Sequence, residues 1–430
     1  MNIRHPAQEL GKQIVVVLGG GFAGLNTAKR LANEKEVFVI LIDQRNHHLF
    51  QPLLYQVATA GLSPGDIAVP IRSQFANTPN VEVHWGEVTA VDLKEQLVKS
   101  SSSDLAIEYD YLVLACGAQH SYFGHPEWEE FAPGLKTLEQ ALEIRRRILS
   151  AFENAENEVD PEKQKALLNF VIVGGGPTGV ELAGAIADIS RSVLVNDFRR
   201  IDPSKAKVIL VEMLPRLLAS FSPELADKTK QDLTDLGVEV RTSARVERID
   251  DEGVLIGSEF IPSKSVFWAA GVQSARLEIE PQVEMDRAGR IKVKDDLSVP
   301  DYDNVFVVGD MSSVEIAPGK TVPGLAPAAM QEGRHAADVI LASIRGRPRA
   351  AFRYIDKGQL ATIGKYRAVM ESGRWKITGR LAWMAWLFVH VFYLIGFKNR
   401  VAVMAQWAWS YLFSKRGARL ITETKWKLRN

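Results

Sequence analysis

Two stretches of the chain share one pattern of hydrophobic and polar positions. Residues 14–18 and residues 170–173 are continuous apolar runs without alternation. Runs of this length are typical of strands that are buried on both faces of a parallel sheet. A glycine-rich turn follows each run at once, and a segment with helical spacing follows each turn. The pattern therefore predicts two units that each contain a buried strand, a tight turn and a helix.

The first turn has the glycine spacing of a dinucleotide-binding unit. Gly19, Gly21 and Gly24 occupy the G-x-G-x-x-G positions, and the next apolar run ends on Asp43, 24 residues after Gly19. The first glycine permits the tight turn, the second lets the backbone approach a pyrophosphate, and the third lets the helix pack closely. The helix N-terminus attracts phosphate, and Asp43 stands where an acid accepts a ribose hydroxyl.

The second turn repeats this arrangement 155 residues later. Gly174, Gly176 and Gly179 hold the glycine positions, and the strand over 207–211 ends on Glu212. Glu212 follows Gly174 by 38 residues rather than the usual interval of about 20, which a polar insertion over 195–205 would explain. Two such units predict that two nucleotides, or one nucleotide and FAD, are bound side by side.

Three further predicted strands end in small residues or in an acid. They lie within 109–117, 266–272 and 304–310, and the last ends in Gly-Asp at Asp310. Small residues at strand ends let the backbone come close to a ligand. An acid at the carboxyl end of a strand can accept hydrogen bonds from ribose or ribityl hydroxyls.

Composition narrows the range of functions. With 430 residues, the chain is long enough for two or three domains, and its formal net charge of zero argues against a general attraction to nucleic acid. Its single cysteine, Cys116, excludes an internal disulfide, a Cys-x-x-Cys pair and a multi-cysteine metal site. No metal site is predicted.

The C-terminal region differs from the rest of the chain. Residues 373–430 contain eleven Lys or Arg and one acid, Glu423, as well as six of the nine Trp. Two apolar runs, 381–397 and 401–413, are short for spanning helices, which need about 20 apolar residues. Trp and Tyr beside Lys and Arg favour a membrane–water interface. We therefore predict a monotopic membrane anchor; buried helices at an oligomer interface and a transmembrane helix are the alternatives.

Together these motifs resemble the two-dinucleotide-binding-domain flavoproteins, and within them the type II NADH:quinone oxidoreductases. The similarity covers about residues 13–420, and the segments that carry it are 46–60, 109–124, 174–184, 268–272, 323–333, 359–364 and 390–400, several of which are specific to the subfamily. It implies an α/β fold with two Rossmann-like dinucleotide-binding domains, the NADH domain inserted in the FAD domain, and C-terminal membrane-associating helices. The implied ranges are 13–128 and 275–348 for FAD, 129–274 for NADH and 349–430 for the membrane anchor.

The resemblance also distributes the cofactor-binding residues. It assigns to FAD the residues Gly19, Gly20, Gly21, Gly24, Asp43, His48, Ala115, Cys116, Gly117 and Asp310. It assigns to NADH the residues Gly174, Gly176, Gly179, Glu212, Ala270 and Gly271. A 2′-phosphate would meet like charge at Glu212, so we expect NADH to be preferred over NADPH.

The resemblance implies two catalytic residues, Glu181 as the acid or relay for quinone protons and Gln331 as an amide near the flavin. His390, within the apolar tail, could lie at the mouth of a quinone site or have no role. Two positions depart from the family pattern: Cys116 replaces the usual Thr, and Pro327 replaces a Gln that some members have. The second departure puts details of quinone contact in doubt.

The expected reaction is non-pumping transfer of two electrons from NADH through FAD to a membrane quinone. The expected location is the cytoplasmic face of the cell membrane, as a peripheral protein on the lipid bilayer surface. Disulfide reductases and sulfide:quinone oxidoreductases need redox cysteines that this chain lacks. A diaphorase or flavin reductase with a soluble acceptor and an NADH-binding redox sensor stay open, and so does a homodimer.

Overall fold

The computed structural model describes residues 2–3, 11–100, 103–413 and 417–421. The chain divides into two compact units, and each unit is built from three separate stretches. The first unit comprises Met1–Leu49, Val69–Gln119 and Val272–Lys357, and the second comprises Phe50–Ala68, His120–Gly271 and Gly358–Asn430.

A six-stranded sheet forms the centre of the first unit. Its strands are Ser298–Val299, Tyr302–Val307, Tyr111–Leu114, Gln13–Leu18, Val37–Asp43 and Val81–Trp85, in spatial order. All neighbours are parallel except the first pair, which is antiparallel. The apolar run 14–18 therefore lies in the middle of a parallel sheet, where both of its faces are buried, as its lack of alternation predicts.

Two long helices of the first unit pack closely together. They are Phe22–Leu31, which follows the first glycine turn, and Ala326–Ile344. A side chain at Gly333 would place its Cβ 2.2 Å from the Ala23 carbonyl oxygen, so only glycine permits this approach. The Thr27 hydroxyl donates to the Gly333 carbonyl at 2.9 Å. The second helix is thereby fixed against the helix of the first glycine turn.

The remaining elements of the first unit are short. A second sheet has the strand order Asn2–Ile3, Ser103–Glu108, Leu97–Ser100, Val88–Asp92 and Glu278–Glu280. Two-stranded pairs are Ile291–Lys292 with Ser312–Ser313 and Glu315–Ala317 with Lys320–Thr321. Two more strand pairs are His47–Leu49 with Ala68–Pro70 and Ala118–His120 with Val272–Ser274. Two 3₁₀ turns are Arg72–Phe75 and Gly309–Met311.

The second unit contains a four-stranded parallel sheet. Its spatial order is Val238–Arg241, Lys207–Val211, Asn169–Val173 and Ser265–Trp268. Two antiparallel three-stranded sheets accompany it, Val246–Ile249 with Gly253–Ile256 and Glu259–Pro262, and Gln359–Gly364 with Arg367–Ser372 and Trp375–Thr378. The predicted α/β fold with two Rossmann-like units is confirmed.

Helices surround these sheets in the second unit. The α-helices are Leu54–Ala58, Pro64–Ile67, Trp128–Phe131, Leu138–Asn157, Pro161–Leu167, Pro177–Asp188, Pro223–Asp235, Gly379–Tyr393 and Phe397–Phe413. Gln51–Leu53 and Pro203–Lys205 are 3₁₀ turns, and Ile189–Val193 is a π turn. Gly184 contacts the Ile363 carbonyl so closely that a Cβ there would lie 1.7 Å from its oxygen.

The C-terminal region belongs to the second unit from Gly358 onward. The apolar run 381–397 is not one helix, because the chain leaves the helix after Tyr393 and turns at Gly396, whose φ is +89°. Within the described residues, none of the helices combines the length and the apolar character needed to span a membrane. The basic residues within 414–416 and 422–430 lie outside the described residues. The four predicted domain ranges stay predictions.

Candidate functional site

The first glycine turn is closed by backbone contacts on one side and open on the other. A Cβ at Gly19 would lie 2.3 Å from the Ala115 carbonyl oxygen, and one at Gly24 would lie 1.8 Å from the Gly19 carbonyl oxygen. Gly19 also has a φ of +103°. A Cβ at Gly21, by contrast, would meet nothing within 4 Å. The turn thus presents bare backbone at the N-terminus of helix Phe22–Leu31, which is the arrangement that binds phosphate.

Asp43 lies beside this turn at the end of its strand. Its Oδ2 accepts a hydrogen bond from the Gly20 amide at 2.6 Å, and its Oδ1 accepts one from the Arg45 amide at 2.6 Å. Burial raises the pKa of the Asp43 carboxyl, whereas these two amides lower it. Each carboxylate oxygen can accept a second hydrogen bond. Asp43 is therefore fixed beside the turn and retains acceptor capacity for a ribose.

His48 approaches the same turn from the other side. Its Nδ1 lies 2.9 Å from the Gly20 carbonyl oxygen, and its ring meets Phe22 edge-on at 5.1 Å between centroids. Burial lowers the pKa of His48 to about 4, so the ring is neutral at physiological pH. With Nδ1 donating to the carbonyl, Nε2 is an acceptor. This Nε2 is buried and has no hydrogen-bond partner among the described residues.

The small-residue turn at 115–117, after strand Tyr111–Leu114, lies beside the first glycine turn. The Ala115 amide donates to the Leu18 carbonyl at 2.8 Å, and Gly117 has a φ of +74°. The Cys116 sulfur lies 3.7 Å from the Leu18 carbonyl oxygen. Burial raises the pKa of the Cys116 thiol to about 12, so it stays protonated and is a poor nucleophile. Cys116 thus acts as a small packing residue in this turn.

Asp310 lies in the Gly309–Met311 turn, and a buried carboxyl supports that turn. Oε2 of Glu332 accepts hydrogen bonds from the Gly309 amide at 2.6 Å and from the Ser312 hydroxyl at 2.8 Å. Glu332 is 2% exposed, and burial raises the pKa of its carboxyl to about 7. Glu332 is not among the residues predicted from the sequence. The feature that could have indicated it is that it is an acid among the small residues on the buried face of helix Ala326–Ile344.

Gln331 is the neighbour of Glu332 and has a different environment. Its Nε2 donates to the carbonyls of Pro327, at 3.1 Å, and Ile355, at 3.0 Å. Its Oε1 accepts from the Ile355 amide at 3.0 Å. Both ends of this amide group are therefore engaged with the backbone. The catalytic role that the sequence suggests for Gln331 stays a prediction.

These features fit FAD in the first unit. The turn at Gly21 has room for a ligand, Asp43 is held beside it, and the His48 Nε2 is a buried acceptor that a ligand donor could satisfy. Gly20 and the turn 115–117 line the same carboxyl edge of the sheet, where ligands of open α/β sheets bind.

The second glycine turn repeats the first. A Cβ at Gly174 would lie 2.6 Å from the Ala270 nitrogen, one at Gly179 would lie 1.8 Å from the Gly174 carbonyl oxygen, and one at Gly176 would meet nothing within 4 Å. Helix Pro177–Asp188 begins here. The second unit therefore contains a second backbone site for a dinucleotide pyrophosphate.

Glu212 holds the second turn as Asp43 holds the first. Its Oε2 accepts from the Gly175 amide at 2.6 Å, and its Oε1 accepts from the Leu214 amide at 2.7 Å. The position of Gly175 corresponds to that of Gly20, and the sequence analysis did not single it out. The small residues Ala270 and Gly271 follow the neighbouring strand Ser265–Trp268, and Gly271 has a φ of +69°.

Glu181 lies in the first turns of helix Pro177–Asp188, in the second unit. Its carboxylate accepts a long hydrogen bond of 3.5 Å from the Thr362 amide. The indole N–H of Trp386 is directed toward the same carboxyl and lowers its pKa, although no hydrogen bond of standard geometry forms. Burial outweighs both contacts and raises the pKa of Glu181 to about 8. Glu181 is therefore mostly protonated at neutral pH.

A buried aromatic and amide cluster lies on the C-terminal helices of the second unit. The Trp386 ring stacks on His390 at 4.3 Å between centroids and lies 5.5 Å from Trp407. The Trp407 indole donates to Oε1 of Gln56 at 2.7 Å, and Nε2 of Gln56 donates to the Tyr55 hydroxyl at 2.9 Å. This cluster was not predicted from the sequence, because Tyr55 and Gln56 lie about 330–350 residues before the other members along the chain.

His390 is a half-buried member of this cluster. Its Nδ1 lies 2.7 Å from the Trp386 carbonyl oxygen, and the Phe50 ring meets it edge-on at 6.2 Å. Burial lowers the pKa of His390 to about 4. It is therefore neutral and does not supply protons near pH 7.

The opposite face of helix Gly379–Tyr393 is apolar and exposed. Leu381, Met384, Phe388 and Phe392 are 60–72% exposed and recur at intervals of three or four residues. Monomeric proteins seldom leave such a continuous apolar face in water. We call these four side chains the outer face of the helix.

Known proteins resemble this chain along most of its length. Residues 13–333 match the model of the pyridine nucleotide-disulphide oxidoreductase family, and residues 357–416 match that of the NDH2 C-terminal domain. Two type II NADH:quinone oxidoreductases of Mycobacterium tuberculosis, Ndh and NdhA, are each 43% identical over 97% of this chain. The matches cover 92% of Ndh and 91% of NdhA.

Solved structures agree with the fold. The structure of NDH2 from Plasmodium falciparum in complex with NADH has a TM-score of 0.87 at 21% identity, over 96% of this chain and 100% of that one. The sulfide:quinone oxidoreductase of Aquifex aeolicus has a TM-score of 0.71 at 21% identity, over 96% of both chains. Both likenesses concern the fold alone.

Proposed function

The chain belongs to the type II NADH:quinone oxidoreductases, and we propose that it transfers two electrons from NADH through bound FAD to a membrane quinone without pumping protons. The observation that carries this proposal is the pair of matching dinucleotide turns, each held by a strand-end acid through an amide hydrogen bond of 2.6 Å. The comparisons do not favour a soluble-acceptor diaphorase or a redox sensor.

The residues of the first unit would hold FAD. The Gly19–Gly24 turn would bind its pyrophosphate through backbone amides, Asp43 would accept from its ribose, and the Asp310 turn would complete the site. When bound, FAD supplies the redox chemistry, because its ring system accepts hydride and passes electrons on to a quinone. The thiol of Cys116, held protonated by burial, takes no part in electron transfer.

The residues of the second unit would hold NADH. The Gly174–Gly179 turn would bind the pyrophosphate, and Glu212 would accept from the hydroxyls of the adenosine ribose. Both oxygens of Glu212 already receive backbone hydrogen bonds, which fixes the carboxylate where a 2′-phosphate would have to approach it. Like charge then disfavours NADPH.

Glu181 would supply a proton for quinone reduction, which consumes two protons. A carboxyl with a pKa of about 8 holds its proton at neutral pH and can still release it to a quinone oxygen that gains negative charge. The supporting observation is that the carboxyl lies among Thr362 and Trp386 without a basic side chain in hydrogen-bond contact within the described residues.

The outer face of helix Gly379–Tyr393 would lie on the lipid bilayer. Its four exposed apolar side chains suit the acyl region, and Arg380 and Lys365 flank the Tyr366 ring at 5.6 and 5.4 Å, where cations could meet lipid phosphates. This arrangement describes a peripheral protein that reaches a quinone dissolved in lipid. We place it at the cytoplasmic face, where NADH is available.

Proteoliposomes test the complete proposal. The purified protein is added to vesicles that contain a quinone and an internal pH dye, and NADH oxidation is followed together with the luminal pH. We expect NADH to be oxidised in proportion to the quinone present, without a change in luminal pH beyond that of vesicles treated with a protonophore. Quinone-independent oxidation would refute the acceptor, and a protonophore-sensitive pH change would refute the absence of pumping.

A further inference from the structure

An aromatic residue with a strained backbone lies beside the second dinucleotide turn. Phe123 is 64% exposed and has a φ of +52°. A left-handed backbone is a rare and unfavourable conformation for a bulky residue, and it persists only where the surroundings enforce it, often at functional sites. Because almost two thirds of the residue is exposed, Phe123 adds little to the core of its own unit. Core packing therefore does not explain why this backbone conformation is kept.

Several contacts hold Phe123 on the turn that follows strand Ser265–Trp268. The Ser121 amide donates to the Gly271 carbonyl at 3.3 Å, and the Trp268 indole donates to the Ser121 carbonyl at 3.0 Å. A Cβ at Gly271 would lie 2.5 Å from Cζ of Phe123, so the ring rests directly on glycine backbone. Tyr122, the residue before Phe123, stacks on Trp268 at 5.0 Å between centroids and so holds this segment against the same strand.

The strand order shows which part of a dinucleotide would lie there. Lys207–Val211, Asn169–Val173 and Ser265–Trp268 are neighbours in this order, spaced about 4.8 Å apart. Glu212 follows the first of these strands, the glycine turn follows the second, and Gly271 lies beyond the third. If the adenosine ribose lies at Glu212 and the pyrophosphate at the glycine turn, the nicotinamide half extends toward Gly271.

We propose that Phe123 is a substrate-binding residue whose ring packs against the nicotinamide half of NADH. This inference rests on the assignment of the second turn to NADH. The ring already rests on Gly271 and lies 6.1 Å from the Trp268 ring between centroids, so we expect binding to cost little side-chain entropy. The exposed ring would offer a flat apolar surface to a nicotinamide placed beside Gly271. Phe123 would thus orient the nicotinamide, whereas Glu212 and the glycine turn bind the rest of the nucleotide.

Binding of NAD⁺ and of ADP-ribose to the holoenzyme tests this proposal, because ADP-ribose lacks the nicotinamide. For Phe123→Ala, we expect the Kd of NAD⁺ in calorimetry to rise about tenfold, near the low end of what aromatic stacking contributes. The Kd of ADP-ribose should stay within about twofold of the wild-type value. Phe123→Leu keeps an apolar side chain without the planar ring and should give an intermediate effect.

Val159→Ala is the matched control, since Val159 is 79% exposed in a loop of the same unit.

An unchanged NAD⁺ affinity in Phe123→Ala would overturn the proposal. An equal loss of affinity for NAD⁺ and ADP-ribose would also overturn it, because such a loss indicates a structural role. If Phe123→Ala does not fold, Phe123→Leu decides by the same criteria. Wild-type protein that binds neither ligand would overturn the NADH assignment and this proposal together. Wild-type protein that binds both without reducing quinone would overturn only the acceptor.

Discussion

Replacing Glu181 by Gln exchanges a carboxyl that can release a proton for an amide of the same size that cannot. With a pKa of about 8, about nine in ten Glu181 carboxyls carry a proton at pH 7, and about one in ten at pH 9. The Gln amide keeps the size of the side chain and can still accept from the Thr362 amide. The substitution therefore separates proton donation from packing.

The expected effect concerns the oxidation of reduced enzyme by quinone. Wild-type protein should show a rate that is constant below about pH 7 and falls roughly tenfold per pH unit well above pH 8, because only the protonated carboxyl donates. A positioned general acid contributes about 10²–10⁴-fold. In Glu181→Gln the rate at pH 7 should therefore drop at least about a hundredfold and vary little with pH.

The same carboxyl has a second consequence, for stability. Its folded pKa of about 8 exceeds its ordinary value of 4.5, so the folded protein holds the proton more tightly than the unfolded chain. This contribution is complete below pH 4.5 and is lost as the pH rises through about 8. The loss reaches at most roughly 5 kcal/mol at about 1.4 kcal/mol per pH unit. Glu181→Gln lacks it, so its thermal midpoint should exceed that of wild type at pH 9 but not at pH 5.

Stopped-flow reoxidation by a short-chain quinone between pH 6 and 10, together with thermal melts at pH 5 and 9, checks both effects. Glu153→Gln is the control, because Glu153 is an exposed acid on helix Leu138–Asn157 of the same unit. It should change neither measurement. Full quinone reactivity of Glu181→Gln at every pH would refute the proton role, even if the stability effect were observed.

Three further predictions concern the other groups. Glu212→Gln keeps the side-chain size but removes the charge, so the ratio of kcat/KM for NADPH to that for NADH should rise about tenfold; an unchanged ratio would separate Glu212 from cofactor choice. His48→Leu removes both the contact to Gly20 and the buried acceptor, so the flavin content of purified protein should fall, whereas full flavin content would contradict the role of His48 in the FAD site. Leu381→Glu combined with Phe388→Glu should weaken co-sedimentation with anionic vesicles more than tenfold, since each apolar side chain contributes about 1.5–3 kcal/mol. Flavin reduction by NADH should not change, and undiminished vesicle binding would refute the proposal that the outer face of helix Gly379–Tyr393 lies on the bilayer.

The parts of the fold that local sequence determines could be predicted. The apolar runs 14–18 and 170–173 form central parallel strands, and both glycine turns place open backbone at a helix N-terminus, because these features depend on adjacent residues. Asp43 was identified from its spacing to the glycine turn, and Glu212 from its place at the end of the next strand despite a longer spacing. Their hydrogen bonds to Gly20 and Gly175 are the physical reason why an acid at that strand end matters.

The parts that depend on distant residues could not be predicted. Glu332 supports the turn of Asp310 from 22 positions further along the chain, and its role is visible only once helix Ala326–Ile344 is in place. The sequence suggested Gln331 near the flavin, but a helix period alone could not show that its amide would bind the backbone at Ile355. The apolar run 381–397 looked continuous in the sequence. In the structure its helix ends at Tyr393, and a turn at Gly396 precedes the next helix, which begins at Phe397.

The most direct test of the central claim is the oxidation of the NADH-reduced protein in stopped-flow. The anaerobic, detergent-solubilised enzyme is reduced with one equivalent of NADH and mixed with either a short-chain quinone or oxygen, while flavin absorbance is recorded. We predict rapid return of oxidised flavin with quinone, at a rate that depends on quinone concentration, and slow return with oxygen. A flavin that stays reduced in the presence of quinone would contradict the assignment of quinone as the electron acceptor.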